Sequence, residues 1–299
     1  KCKIHGENIF FHYNYFKFSF IKADSLSIKA PSESLKDSRG YPILEEIIVP
    51  IQDFSGELLI DDTNNKSGNW IKDFGHFPIL RGYKESRVYY DNPKTYNGVY
   101  KRDIFYFNLD PFEIDSLDNF TRKSLSFPGT LYSADIFEPF REKLVPQDDN
   151  FLGFETSTPE EGLAIYNKGE YFNKIFLNSK GLTGQGMLNY NNVTSISDEF
   201  VFFPDSMQAK VNSLVVNQVP KYDYPLITAK NVFEYVDVKQ DIIKISSQQG
   251  DISFYDSLAT FTGDLFLLKN QTLGLKLGSL GLKVSFVFLT GCYSLIFRQ

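Results

Sequence analysis

The chain has 299 residues, enough to bury a sizeable core, and its 42% hydrophobic and 23% charged residues exclude a disordered polypeptide. Its net charge of −6 argues against a nucleic-acid-binding protein, because such proteins gain affinity from lysine and arginine on phosphates. Aromatic residues make up 16% of the chain, and the 29 Phe and 18 Tyr favour β-strands over a helical bundle.

Cysteine and histidine counts limit the chemistry that the chain can carry. Cys2 and Cys292 could form one disulfide, but two cysteines are too few for a zinc site of the CxxC type. Three histidines do not predict a metal cluster, and the sequence predicts no cofactor. The longest apolar run, 284–297, is shorter than the roughly 18–20 residues of a membrane-spanning helix and predicts buried strands.

Taken in chain order, the first third of the sequence predicts strands joined by polar loops. Phe16, Phe18 and Phe20 alternate with polar residues, so 9–30 is predicted to form strands with these rings on one face. Further strands are predicted at 43–51, 87–90 and 99–107.

The middle of the chain, residues 104–132, contains both of the short phrases that recur elsewhere. Directly after it, residues 134–145 predict a short helix. The prediction rests on helical spacing of four apolar residues, Ile136, Phe137, Phe140 and Leu144.

The second half of the chain predicts many short strands separated by turns. They are predicted at 171–178, 182–190, 200–203, 211–219, 224–228, 232–238, 242–246 and 252–255, with strand-like sequence over 258–297. The pattern predicts an all-β protein. It would be an extended, curved antiparallel sheet or a stacked β-sandwich of degenerate repeats, with at most one or two short helices.

A polar loop at 146–158 is the best candidate for a domain boundary. The sequence therefore predicts two β-rich repeat regions, 1–150 and 151–299, with one continuous domain as the alternative. The first residue is Lys rather than Met, and the chain stops after an apolar run. We therefore expect the chain to be a piece of a longer polypeptide.

The phrase Phe-x-Gly-x-Leu occurs three times and predicts a degenerate internal repeat, although it could also be merely common in aromatic β-proteins. In a strand its Phe, Gly and Leu point to the same face, and the glycine leaves room for a bulky neighbour or a bend in the sheet. The copies are Phe54, Gly56 and Leu58; Phe127, Gly129 and Leu131; and Phe261, Gly263 and Leu265.

Asp-Ser-Leu also occurs three times, and aspartate and serine are residue types that stabilise turns. The copies begin at Asp24, Asp115 and Asp256, and the middle copy continues with Ser116 and Leu117. The second and third copies come shortly before a Phe-x-Gly-x-Leu phrase. The repeating unit is therefore predicted to be a strand, a turn and a glycine-bearing strand.

Four tyrosines are the candidate ligand-binding residues, because they flank one predicted hairpin and exposed tyrosines could stack on sugar rings. They are Tyr89, Tyr90, Tyr96 and Tyr100. The alternative is that these rings pack the sheet against its neighbours.

Nothing in the pattern of acidic residues predicts catalysis, so the chain is predicted not to be an enzyme. A glycosidase needs two carboxylates across a cleft, and the acids of 104–132 are better explained as turn residues. The loop from Asp61 fails the spacing of an EF-hand, because Lys66 and Lys72 stand at its sixth and twelfth positions. No GxSxG, Walker A, GxGxxG or HExxH phrase occurs, and no metal site is predicted.

Three segments, LTGQGMLNY at 182–190, FTGDLFLL at 261–268 and IDSLDNF at 114–120, resemble the β-repeat regions of very large Gram-negative cell-envelope proteins. Those regions are similar to the AsmA/TamB type, in which successive strands build a curved sheet with an apolar inner groove. The resemblance implies a periplasmic or outer-membrane-associated scaffold without catalytic residues. It also implies that the partners are lipid or envelope proteins and the rest of a longer chain.

The sequence therefore predicts a non-catalytic structural segment of the cell envelope that lines an apolar β-groove for transport of lipid or of an outer-membrane protein. The alternative is a carbohydrate- or ligand-binding β-sandwich module.

Overall fold

The structure is a computed structural model that describes residues 1–83, 86–93, 97–191, 193–216, 227–240, 242–254, 257–269, 272–276, 283–286 and 296–298. Within these ranges, side chains are described up to residue 215 and then only at 231–240, 243 and 245.

Almost all named elements are β-strands paired antiparallel, so the prediction of an all-β fold is confirmed. The strands in the first half are β1 (Cys2–His12), β2 (Lys17–Lys36), β3 (Pro42–Glu46), β4 (Ile51–Leu59), β5 (Ile79–Gly82), β6 (Arg87–Tyr89), β7 (Phe105–Leu109), β8 (Phe112–Ile114), β9 (Phe127–Ser133), β10 (Phe140–Pro146) and β11 (Leu152–Ser157). The later strands are β12 (Leu163–Ile165), β13 (Gly169–Asn178), β14 (Gly181–Tyr190), β15 (Val193–Phe203), β16 (Ser206–Val216), β17 (Ile227–Asp237), β18 (Ile242–Phe254), β19 (Ser257–Lys269), β20 (Thr272–Lys276), β21 (Lys283–Phe286) and β22 (Ile296–Arg298). Two single-turn 3-10 helices, η1 (Lys72–Phe74) and η2 (Arg122–Ser124), lie between strands.

The short helix predicted at 134–145 is wrong, because the second half of this segment forms β10 and the first half contains a turn. The edge of β9 offers a ladder of backbone hydrogen bonds, and Phe140 to Leu144 pair with it in antiparallel register. Pro139 precedes the strand and cannot donate the backbone hydrogen bond that a helix would need there. The apolar spacing that suggested a helix therefore also suits a strand with Leu144 buried.

The chain divides into two compact units, and two strands, β11 and β13, pass from one to the other. The first unit contains Lys1–Ala134, Pro139–Phe154 and Leu177–Lys180, and the second contains Asp135–Glu138, Glu155–Phe176 and Gly181–Gln299. The boundary predicted between the regions 1–150 and 151–299 stays a prediction.

In the first unit, strands far apart in sequence pair side by side. β1 pairs with β2, β2 with β4, β4 with β5, and β5 with β8. A second series continues from β4 through β6, β7 and β9 to β10. Aromatic rings connect the two series in the core, because Phe112 lies 6.1 Å from Phe54 and 5.0 Å from Phe127 between ring centroids.

In the second unit, β14 to β22 pair in sequence order, each strand antiparallel to the one before it. Its core contains aromatic rings in edge contact, with Tyr171 5.7 Å from Phe200 and 5.3 Å from Phe202 between centroids. Successive side chains of a strand alternate between faces. On β17, Glu234 accordingly points to the buried face and is 2% exposed. Its neighbour Phe233 points to the opposite face and is 54% exposed.

Candidate functional site

The first unit contains an open groove with a volume of about 410 Å³. Its floor is formed by β1, β2, β4 and β5, and the segment after β8 forms part of its rim. The groove is lined by Lys1, Cys2, Ile4, Ile9, Phe18, Phe20, Leu58, Pro78, Leu80, Leu117 and Asp118. Charged side chains in this lining are limited to Lys1 and Asp118, so the walls are almost entirely apolar.

The groove is apolar because cross-strand pairing places apolar residues on one face of the sheet. Directly opposed residues of neighbouring antiparallel strands point to the same side. Two adjacent rows cross β1, β2, β4, β5 and β8 on the groove face. They are Phe11, Phe18, Leu58, Leu80 and Ile114, and Ile9, Phe20, Gly56, Gly82 and Phe112.

A β-bulge at Gly6 lets both halves of β1 contribute to this face. The register with β2 shifts between His5 and Gly6, so Ile4 before the bulge and Ile9 after it both line the groove. Gly6 adopts a φ of 155°, and a β-carbon there would lie 2.7 Å from the Cα of Ala23. His5 and Gly6 pair with Ser25 and Ala23, so the extra residue of the bulge is Asp24 on β2, and the regular pairing of the two strands is interrupted there.

The opposite face of the same strands is charged. Glu57 on β4 accepts from the Lys17 ammonium at 2.5 Å and from the Arg81 guanidinium at 3.4 Å, and Arg81 also donates to Glu113 at 2.6 Å. Burial acts to raise the pKa of Glu57, but its hydrogen bonds to Lys17, Tyr83 and Arg81 outweigh burial and hold that pKa below its ordinary value. The sheet is therefore amphipathic, with the groove on its apolar side.

The thiol of Cys2 lies in the groove lining and is not activated. Burial raises the pKa of Cys2 to about 11, against a smaller opposing effect of the nearby amino groups. A thiol with this pKa stays protonated at neutral pH and is a poor nucleophile. Cys292, with which Cys2 could form a disulfide, lies outside the described residues, so this pairing is not tested.

The first Phe-x-Gly-x-Leu phrase lies in β4 and contributes directly to the groove. Phe54 is fully buried, Leu58 is half-buried and lines the groove, and Gly56 lies between them. A β-carbon at Gly56 would lie 2.0 Å from the carbonyl oxygen of Arg81. The glycine therefore allows the backbone of β5 to approach β4 closely.

The second phrase lies in β9 and has the same geometry. Phe127 and Leu131 are buried, and a β-carbon at Gly129 would lie 2.2 Å from the carbonyl oxygen of Asn108 on β7. The two copies thus share one structural role, a glycine at a close approach of two strands. The side chains of the third copy, Phe261, Gly263 and Leu265, lie outside the described residues.

Asp-Ser-Leu has two different structural roles in its described copies. The copy beginning at Asp24 lies inside β2, so the prediction of a turn there is wrong. The copy at Asp115, Ser116 and Leu117 does form the turn after β8. Its Ser116 has a φ of 47°, its backbone N–H groups at Ser116 and Leu117 donate to the carbonyls of His76 and Pro78, and Leu117 reaches the groove rim. Asp256 lies outside the described residues.

The described candidate tyrosines are buried, which corrects their prediction as exposed stacking rings. Tyr90 and Tyr100 are each 1% exposed, and Tyr89 is 8% exposed. The Tyr90 hydroxyl donates to the carbonyl of Leu152 at 2.8 Å, and the Tyr100 ring lies 4.2 Å from that of Phe105. These rings pack the sheet, because a stacked sugar would need an open ring face. Tyr96 lies outside the described residues.

Sequence reasoning identified only part of the groove. It predicted that Phe18 and Phe20 share a face, and both line the groove. It did not identify Ile4 and Ile9 of β1, because the bulge interrupts the simple alternation that reveals a strand face. The signal that could have found them is Gly6 itself, since an isolated glycine in a strand pattern suggests a bulge.

Among the described side chains, no group of three or more His, Cys, Asp or Glu residues could hold a metal ion. In the part of the chain that the structure describes, no helix has the length and apolar character needed to cross a bilayer.

Comparison with known proteins finds no matching protein family, no similar curated protein and no similar solved structure.

Proposed function

We propose that this chain is a non-catalytic β-scaffold of the cell envelope whose groove binds the acyl chain of a lipid. The observation that carries the proposal is the continuous apolar groove built on one face of β1, β2, β4 and β5. Its assignment to the cell envelope rests on the resemblance of three sequence segments to envelope β-repeat proteins.

The chemistry of the groove favours an apolar chain over a polar ligand. A site for a sugar or a nucleotide presents several convergent hydrogen-bonding groups, whereas this lining has its two charged residues, Lys1 and Asp118, among apolar side chains. Its volume of about 410 Å³ lies within the range of sites that hold small molecules. Burial of each Å² of apolar surface contributes about 25 cal/mol, so an extended acyl chain gains affinity along its whole length.

The test is a titration of the protein with a dansyl-labelled fatty acid, followed by dansyl fluorescence. We expect saturable binding with a blue-shifted dansyl emission, because the groove would remove the acyl chain and the dansyl group attached to it from water. In the variant Ile9→Asp, a carboxylate stands on the groove face and must be desolvated when the chain binds. We expect the affinity of this variant to fall by about tenfold or more.

The matched control is Ile43→Asp on β3. Ile43 and Ile9 are each 42% exposed, but Ile43 is not part of the groove lining. The control is expected to bind like the wild type. The proposed function fails if the wild type does not bind the probe, or if both variants bind it equally well.

A further inference from the structure

The end of the first unit where β1 and β2 meet exposes an unusual set of aromatic and aliphatic side chains. The hairpin residues 9–15 and the neighbouring loop 66–71 together form what we call the aromatic tip. Its large exposed residues are Ile9 (42%), Phe10 (47%), Phe11 (47%), Tyr13 (65%), Tyr15 (63%), Trp70 (82%) and Ile71 (41%). A surface patch of this character marks an interaction site more often than a solvated face.

The aromatic tip is an ordered structure held by ring contacts. The Phe11 ring lies 5.0 Å from Phe18, 6.3 Å from Phe16 and 6.5 Å from Tyr13 between centroids. The backbone N–H of Ile60 donates to the carbonyl of Phe16 at 3.0 Å, which joins the end of β4 to the hairpin turn. These contacts fix the positions of the exposed Phe11 and Tyr13 rings.

Lys17 is already paired with Glu57 at 2.5 Å, so Lys66 is the lysine that adds positive charge beside the exposed tyrosines. The Lys66 ammonium lies 4.4 Å from the centroid of the Tyr13 ring, and the Lys17 ammonium lies 5.6 Å from that of Tyr15. The Lys66 contact also holds the loop against the hairpin, so both segments belong to one surface.

The acids nearest to Lys66 in sequence are engaged within their own loop. Asp61 accepts from the side-chain amide of Asn65 at 2.9 Å and from the backbone N–H of Asp62 at 2.7 Å. Asp62 accepts from the backbone N–H of Asn64 at 2.8 Å. The Asn65 amide also donates to the carbonyl of Asn69 at 2.7 Å, which fixes the backbone just before Trp70.

We propose that the aromatic tip is a docking surface for a phospholipid bilayer with anionic headgroups. Tryptophan and tyrosine suit the membrane interface, because their rings are apolar while their N–H and O–H groups reach polar headgroups. Lysine stems pack on apolar surface while their ammonium groups reach the lipid phosphates, which gives charge complementarity. Trp70, Tyr13 and Tyr15 with Lys66 combine both features at one end of the unit.

The aromatic tip also continues into the groove. Ile9 belongs to both, and the Phe18 ring that contacts Phe11 in the tip lines the groove as well. Docking would therefore bring one end of the groove to the bilayer. Membrane docking itself does not require the groove to hold a ligand, so the two proposals can fail separately.

Trp70 provides the test, because it is the single tryptophan of the chain and lies in the tip. The 299-residue protein is mixed with vesicles of phosphatidylcholine and phosphatidylglycerol in equal parts, and with vesicles of phosphatidylcholine alone. We expect a blue shift of the Trp70 emission and quenching by brominated acyl chains, both stronger with phosphatidylglycerol. These signals report insertion of the indole into the interface.

The variant Tyr13→Ser/Tyr15→Ser keeps the fluorescent probe and removes the two most exposed hairpin rings. We expect its apparent vesicle affinity to fall by about tenfold or more, because each interfacial aromatic side chain contributes to partitioning. The matched control is Tyr41→Ser, since Tyr41 is 67% exposed and lies in the turn before β3. The control is expected to bind vesicles like the wild type.

Three outcomes overturn the docking proposal. The first is an unchanged Trp70 spectrum with both kinds of vesicle, and the second is equal vesicle binding by the double tyrosine variant. The third is a blue shift that follows protein concentration in the absence of lipid, which would assign the tip to contact between two copies of the chain. The fatty-acid titration with Ile9→Asp is done without vesicles, so its failure leaves these outcomes unaffected.

Discussion

Gly129 stands where even a methyl group has no space. A β-carbon at this position would lie 2.2 Å from the carbonyl oxygen of Asn108 and 2.5 Å from the ring of Phe107. Because one of these contacts is to backbone, a rotamer change cannot relieve it. We expect Gly129→Ala to lower the free energy of unfolding by about 3 kcal/mol, measured by urea denaturation, as for overpacked cores.

A matched glycine substitution separates this steric cost from the general effect of adding a methyl group. Gly75 has a φ of −67°, and a β-carbon there would have its nearest contact at 3.3 Å. Gly75→Ala is expected to change the free energy of unfolding by less than about 1 kcal/mol. Equal stability of the two variants would show that the two strands do not approach closely at Gly129.

For single residues, the sequence predicted how the second Phe-x-Gly-x-Leu phrase is arranged within its strand, but it did not predict which residues contact that phrase. Periodicity alone predicted that Phe127, Gly129 and Leu131 share a face and that the glycine accommodates a neighbour. The identity of that neighbour, the carbonyl of Asn108, depends on a pairing between β7 and β9 that no local pattern contains. The same reason explains why the sequence left two alternatives open for Tyr90 and Tyr100, stacking on a ligand and packing in the sheet.

At the scale of elements, β1 differs from the other long strands of the first unit. In the described part of the chain it pairs with β2 alone, whereas β9 lies between β7 and β10. One backbone edge of β1 is therefore open to solvent. We expect its amide hydrogens to exchange with deuterium at least about tenfold faster than those of β9, measured by mass spectrometry on peptides from each strand.

The dependence of this exchange on protein concentration is the accompanying control. Exchange in β9 should not change with concentration, because its backbone is paired within the unit. If β1 is protected as strongly as β9, its edge is covered in solution. Protection that increases with concentration would assign that cover to a second copy of the chain.

Local sequence patterns predicted strands well where only the two-residue period of a strand fitted the apolar residues. They failed where the spacing of a helix and that of a strand both fitted. In β2, strict alternation identified the strand and the face of Phe18 and Phe20. In 134–145, apolar residues fitted both a helix and a strand, and pairing with β9 decided the outcome. In β1, the register with β2 shifts between His5 and Gly6, so simple alternation did not reveal which residues face the groove.

At the scale of the whole molecule, the groove shows why the candidate site was only partly predictable. Its lining comes from β1, β2, β4 and β5 and from the turn after β8, segments between Lys1 and Asp118. Each strand carries an ordinary apolar face, and the groove exists because these faces become adjacent. Strand order thus determines the site, and strand order follows from long-range pairing that composition does not reveal.

The stability of the molecule should depend on pH through one buried acid in the second unit. Glu234 is 2% exposed, and no described residue forms a hydrogen bond within normal geometry to either of its carboxylate oxygens. Burial raises the pKa of Glu234 to about 7, while the nearby Ser195 hydroxyl acts in the opposite direction. In the unfolded chain a glutamate has a pKa of about 4.3.

Because the folded state holds this proton more tightly, the free energy of unfolding should fall as pH rises from about 4.3 to about 7, by roughly 3 kcal/mol. Urea denaturation across this range measures the slope. The other acids of the chain add their own pH dependence, so the informative quantity is the difference between wild type and Glu234→Gln. This variant should lose the slope, because its amide does not titrate.

The matched control, Glu170→Gln at an exposed position of β13, should retain it. Equal slopes in all three proteins would show that Glu234 keeps an ordinary pKa in the folded chain.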